Sequence, residues 1–128
     1  MDFTFHRIVS GAMADVVDRV KEALKAEGFG VLTEIDIEAT LKAKLGADFR
    51  PYRILGACNP PLAKKALEAE PRIGVMLPCN VIVQQIGDGQ VEIAAINPAA
   101  PMGVIGNPAL SEIAAEVGLR LRKVVAAV

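Results

Sequence analysis

Pro78-Cys79-Asn80-Val81-Ile82-Val83-Gln84-Gln85-Ile86-Gly87-Asp88-Gly89-Gln90-Val91-Glu92-Ile93-Ala94-Ala95-Ile96 is the stretch that decides the fold. Two β-rich runs, Cys79 to Ile86 and Val91 to Ile96, flank Gly87-Asp88-Gly89, whose composition is that of a hairpin turn. Pro78 stands at the strand entrance, where its missing N–H is tolerated. A tight turn joins strands antiparallel, so the sheet is at least partly antiparallel.

Upstream, Pro51 opens an extended run, Tyr52 to Cys58. Asn59-Pro60 then reads as a helix N-cap followed by the first helical position, with Leu62 to Glu70 helical and Pro71 beyond the end. Gly30 to Ile35 reads as another strand. Asp36 caps a short helix with Ile37, Leu41 and Leu45 on one side, stopped by Gly46. The chain begins with a strand over Asp2 to Val9, carrying Phe3, Phe5 and Val9 on one face and Thr4, His6 and Ile8 on the other. Met13, Val16, Val17, Val20 and Leu24 then recur at helical spacing, and Gly28 suits the C′ position. Downstream of the hairpin, Asn107-Pro108 repeats the cap signal. Leu110, Ile113, Ala114, Val117, Leu121, Val124, Val125 and Val128 make one apolar stripe. The order β-α-β-(short α)-β-α-β-β-α predicts an α+β domain over residues 1–128, with about five mainly antiparallel strands and helices on one face.

Composition agrees with one domain. A chain of 128 residues is too short for two self-sufficient cores. Hydrophobic residues are 52% and aromatics 4%, with no Trp, so the core is aliphatic. A mean hydropathy of +0.38 is high for a chain this short, and the excess is assigned to a subunit interface, hence a homodimer. Net charge is −1, which excludes a general field for nucleic acid. Met1-Asp2-Phe3-Thr4 lacks the basic and apolar regions of a secretory signal. The longest uncharged stretch, Ile93 to Ser111, is broken by Asn97, Pro98, Pro101, Gly103 and Gly106, so it cannot span a membrane as a helix. Two cysteines are too few for a disulfide scaffold. The expected location is cytoplasmic, with both thiols reduced.

The residues that could carry chemistry are few. Cys58 precedes a helix N-terminus, where backbone N–H groups and the helix dipole can favour a thiolate. Cys79 follows Leu77-Pro78, and Asn59 and Asn80 follow the two cysteines. The pair reads either as a redox or soft-metal dithiol or as two small apolar core residues. A zinc site would need further ligands, because His6 is the only histidine and there is no Cys-x-x-Cys. If the Cys58 and Cys79 strands ran parallel through a helical crossover, the thiols would lie at opposite strand ends. They would then be about 17–20 Å apart and could not form a disulfide. His6 reads as a surface histidine. Glu34, Asp36 and Glu38 read as capping and solvated carboxylates rather than a cation site. Arg50, Tyr52 and Arg53 would grip an anion or pair across an interface. Asn97 to Gly103 reads as an interface loop, a flap or an ordered connection.

Tyr52-Arg-Ile-Leu-Gly-Ala-Cys-Asn-Pro60 and Leu77-Pro-Cys-Asn-Val-Ile-Val83 together resemble a bacterial and archaeal family known as "domain of unknown function 302". The resemblance extends through the first amphipathic helix, Leu32 to Asp36, Glu70-Pro71 and Asn97-Pro98. It implies a small α+β domain with a curved antiparallel sheet, often dimeric, and it implies no activity. Many members resemble this chain at Asn59-Pro60 and Leu77-Pro78 without a neighbouring cysteine. By that resemblance the Asn-Pro and Leu-Pro pairs are architectural, and Cys58 and Cys79 mark a subgroup.

Two functions are consistent with these residues. The first is a homodimeric module that binds a small molecule or a partner. The second is a cysteine-dependent redox or soft-metal protein. No complete catalytic constellation is present, and the sequence requires no cofactor or metal. Candidate site residues are Cys58, Asn59, Cys79 and Asn80, with Glu34 and Tyr52 as walls. Nucleic acid and membrane are not expected partners.

Overall fold

The computed structural model describes residues 2–128. Strand β1 (Thr4–Ser10) leads to helix α1 (Met13–Ala26), β2 (Gly30–Asp36) and α2 (Ile37–Leu45). Then come β3 (Tyr52–Cys58), α3 (Pro60–Ala69), a 3-10 helix (Pro71–Met76) and the hairpin β4 (Cys79–Gly87) with β5 (Gln90–Ile96). The chain ends with the one-turn α4 (Ala99–Met102) and the long α5 (Pro108–Ala127). The sheet order is β1-β5-β4-β3-β2, with every neighbouring pair antiparallel.

The local signals act as their chemistry requires. Asp36 accepts from the Ala39 N–H at 2.9 Å, Asn59 from the Leu62 N–H at 3.3 Å and Asn107 from the Ala109 N–H at 3.0 Å. Each satisfies a donor that a helix start leaves unpaired. Gly28 and Gly46 take positive φ after α1 and α2, where a side chain would be strained.

Alternate strand residues face the helices. Val9, Leu55, Val81, Val83, Val91, Ile93 and Ala95 meet Val16, Val20 and Leu24 of α1 and Leu121 and Val124 of α5. The opposite face carries the cross-strand row Ile35, Ile54, Ile82, Ala94 and His6. A second, smaller cluster joins Ala66, Ile73, Met102, Leu110 and Ala114.

The structure settles or adjusts the sequence reading in three places. Strands β3 and β4 are antiparallel, with Ala57 opposite Cys79. Cys58 ends β3 and Cys79 begins β4, so both lie at one end of the sheet. The parallel arrangement is excluded because α3 and the 3-10 helix return the chain to the end it left. Second, no residue of α2 is buried, and Leu45 is 74% exposed. Strand β2 is the sheet edge, so no strand lies beyond it to cover Ile37, Leu41 and Leu45. Third, β1 runs Thr4–Ser10 rather than Asp2 to Val9, so Phe3 precedes the strand and is exposed. No helix among the described residues is long and apolar enough to cross a membrane.

Candidate functional site

Where β3 ends and β4 begins, the sheet, α3 and α5 line a cavity of about 350 Å³ that is open to solvent on one side. Ala57 and Cys58 come from β3, and Pro78 and Cys79 from the β4 entrance. Leu62, Ala63, Ala66 and Leu67 line it from α3, and Ile113 and Val117 from α5. Phe29, Leu32 and Met102 add to the wall. Leu32 and Leu67 are exposed and mark its mouth. Among the described residues no charged side chain lines it.

The architecture of α3 explains the space. Asn59 and Pro60 start the helix directly from β3, and Ala63 and Ala66 present small side chains to the cavity. Asn107 donates its side-chain NH₂ to the Ala69 carbonyl at 3.2 Å while its oxygen caps α5, tying the end of α3 to the start of α5. A helix held at both ends and built from alanine between them leaves a gap that larger residues would fill.

Three of the candidate residues meet here. Cys58 is half-buried and Cys79 buried, both as free thiols. Burial pushes the Cys79 thiol up to about 11, with the nearby Cys58 a smaller cause. An apolar wall opposes the charged form, so Cys79 is neutral at neutral pH. Asn59 is buried and uses its oxygen to cap α3, which leaves its NH₂ as the donor it can present.

The other three candidates lie elsewhere. Asn80 is the next residue of β4, so it points to the opposite face, opposite Gly56. It lines a shallow hollow there with Tyr52, His6, Ile82, Gln84 and Glu92. Gln84 is held between Arg50 and Glu92 at 2.8 Å each. The Arg50 guanidinium lies 4.4 Å from the Phe49 ring centroid and 5.7 Å from that of Tyr52. Glu34 belongs to an ion-pair cluster at the β2–β3 edge, 2.7 Å from Lys21 and 2.6 Å from Arg53. The hydrogen bond from Lys21, then that from Arg53, holds its carboxyl below the usual carboxylate range. Asp36 caps α2 and lies 3.4 Å from Arg53, so these charges neutralise one another. His6 is about half exposed, with its Nδ1 3.0 Å from the Thr4 hydroxyl. Among the described residues no group of three or more His, Cys, Asp or Glu is placed to hold a metal ion.

Sequence reading missed Leu62, Ala63, Leu67, Met102 and Ile113 as wall residues. Their types are ordinary core types, and only the lean of α3 on α5 turns them toward one space. Alanine at 63 and 66 on an otherwise amphipathic helix is the one local signal of that space.

Sheet, helices and cavity define a small α+β domain whose most apolar pocket sits between a strand end and the helix that follows it. The chain belongs to the family described as "Domain of unknown function DUF302", whose profile matches residues 5–128. Among solved structures, the crystal structure of an uncharacterized conserved protein DUF302 from Bacillus stearothermophilus is 37% identical. The match covers 97% of this chain and 96% of that one, with a TM-score of 0.89. No curated protein matches the chain significantly.

Proposed function

We propose that this chain is a small-ligand-binding module that works as a homodimer. The cavity carries the ligand reading. Its volume of about 350 Å³ is more than twice the roughly 150 Å³ that admits benzene into an apolar protein interior. It falls in the range of small-molecule sites, which begins near about 300 Å³. The uncharged wall favours an apolar ligand, because an ion would lose its water and find no partner.

The homodimer reading rests on the open sheet face. Five strands about 4.8 Å apart and seven residues long present a face of about 24 by 24 Å. Two such faces together bury about 1,100 Å², near the roughly 1,000 Å² that a specific interface needs. The row Ile35, Ile54, Ile82 and Ala94 forms its centre, and Tyr52, Gln84, Glu92 and His6 its polar rim. The single chain exposes 7203 Å², against roughly 6,500 Å² for a compact monomer of this mass. An excess of that sign fits a face awaiting a partner.

Titration calorimetry with 1-octanol tests the ligand site. Saturable binding with a negative heat-capacity change is expected, and Ala63→Phe, which fills the cavity, is expected to remove it. Octanol that does not saturate, or that binds the variant equally, would overturn the reading. Native mass spectrometry tests the dimer, with Ile82→Glu expected to give monomers. A wild type that is monomeric at micromolar concentration would count against it.

A second reading, a thiol function of Cys58 and Cys79, is supported by one observation: both thiols line this cavity. The same wall argues against a thiolate-bound soft metal, whose charge would sit among aliphatic side chains. Chemistry between neutral thiol and disulfide fits it better.

A further inference from the structure

We propose that this cavity takes a single unbranched alkyl chain of about nine or ten carbons, whose polar head stays in water at the open side. This rests on the cavity being a ligand site and names the class of ligand it takes. Its dimensions carry the inference. Asn59 at the cap of α3, and Leu62, Ala63, Ala66 and Leu67 along the helix, line the space. These positions share one helix face over two turns. The lined space therefore runs along α3 for about 12 Å, at about 1.5 Å per residue. A volume of about 350 Å³ spread over that length has a mean section of about 30 Å², or a width of about 6 Å. Carbon atoms in contact stand about 3.5–4.0 Å apart, so that width takes one hydrocarbon chain and not two side by side. Carbon–carbon bonds of about 1.5 Å in a zigzag advance about 1.3 Å each, so about nine or ten carbons match the wall.

The wall has a buried flank and an exposed one. Phe29, Ala57 and Met102 are buried, whereas Leu32 and Leu67 are exposed at the open side. An amphiphile needs such an opening. A hydroxyl or carboxylate drawn against the uncharged wall would lose its water without replacement, so the head stays outside while the chain lies within. Beside Leu67 on α3, Lys64 and Glu68 pair with each other at 3.6 Å. That pair gives the head no net charge to select. Chain length and slenderness are then what the cavity discriminates.

The test titrates the full chain with straight 1-alkanols from butanol to dodecanol, each below its solubility. It adds adamantan-1-ol, which folds ten carbons into a cage. Affinity should rise about fourfold per methylene while each enters the apolar wall. It should stop rising near about nine or ten carbons, where the wall ends and further carbons stay in water. Decanol should bind at least about tenfold tighter than the cage, which leaves two or more methylenes' worth of its surface outside. Decanoate should bind within about fivefold of decanol, the most that charges of an exposed pair contribute. Ala63→Val adds two carbons to the middle of the wall and should bring the plateau down by about two carbons. Affinity that keeps rising to dodecanol, a cage that binds as tightly as decanol, or a larger preference between decanoate and decanol overturns the chain reading in the unmutated protein. Each of these leaves the ligand site standing. Saturable binding by none of these alcohols removes the two readings together.

Discussion

The larger and smaller apolar clusters of this chain use the same residue types and reach different ends. In the larger, strand alternation and two long amphipathic helices present matched rows, and Leu24, Leu55, Val83 and Leu121 are fully buried. The smaller is assembled from single residues of α3, the 3-10 helix, α4 and the first turns of α5. The cavity lies on the seam between them. Phe29, Ala57, Cys79 and Val117 of the larger cluster face Ala66 and Met102 of the smaller across it. Regular elements in register close-pack, whereas irregular segments meeting a sheet end leave a gap.

If that contrast holds, damage to the larger cluster lowers stability and spares binding. Leu121→Ala should cost about 2–5 kcal/mol by urea unfolding, while the folded fraction binds octanol as before. Equal losses of both would merge the two regions. On the sheet itself, a Cβ at Gly56 would collide with the Thr33 hydroxyl and come within 2.7 Å of Pro78. Gly56→Ala should therefore cost about 1–3 kcal/mol as overpacking, measured the same way. Because Pro78 lines the cavity, this variant should weaken octanol as well, unlike Leu121→Ala.

The seam has its own pH signature. Cys79 is raised from an ordinary 9.0 to about 11 by burial. Between those values the unfolded chain has lost a proton that the folded chain retains. Its stabilising contribution is complete below the unfolded value and lost as pH rises through the folded one. The added slope is at most about 1.4 kcal/mol per pH unit, and Cys79→Ala should remove it from a series of urea curves. Asn107→Ala unhooks α3 from α5. It should cost about 1 kcal/mol and weaken octanol through a looser seam. An unchanged affinity would show that α3 is held without that hydrogen bond.

The smallest effect belongs to the rim of the larger cluster. Glu34 is depressed chiefly by its hydrogen bond from Lys21. Its contribution is present above the unfolded carboxylate value of about 4.3 and lost as pH falls through the folded one. Lys21→Met should cost less than about 1 kcal/mol at neutral pH, and the difference should vanish once Glu34 is protonated. Octanol affinity should not respond.

Local chemistry was legible in the residues. Asn59-Pro60, Asn107-Pro108 and Asp36 mark helix starts that the structure places within a residue of expectation. The Gly87-Asp88-Gly89 hairpin and the β3 limits, Tyr52 and Cys58, also agree. The 3-10 helix was not legible, because Pro71 read as the end of one helix rather than the start of another turn. For the site, the cysteines and Asn59 stood out by type. Asn80 and Tyr52 stood out equally and lie on the opposite face, since neighbouring strand residues point opposite ways.

By itself the sequence determined one aliphatic α+β domain, its element order and the chemical types at two cysteine motifs. Periodicity, caps and turns act over a few residues, so they can be read along the chain. Only the tertiary structure decided that β3 and β4 run antiparallel, that Cys58 and Cys79 therefore lie at one end of the sheet, and that α3 stands off far enough to leave a cavity. Strand order and the gap between packed helices depend on contacts between residues distant in sequence. Ile113 and Val117 carry no local mark of the space they enclose.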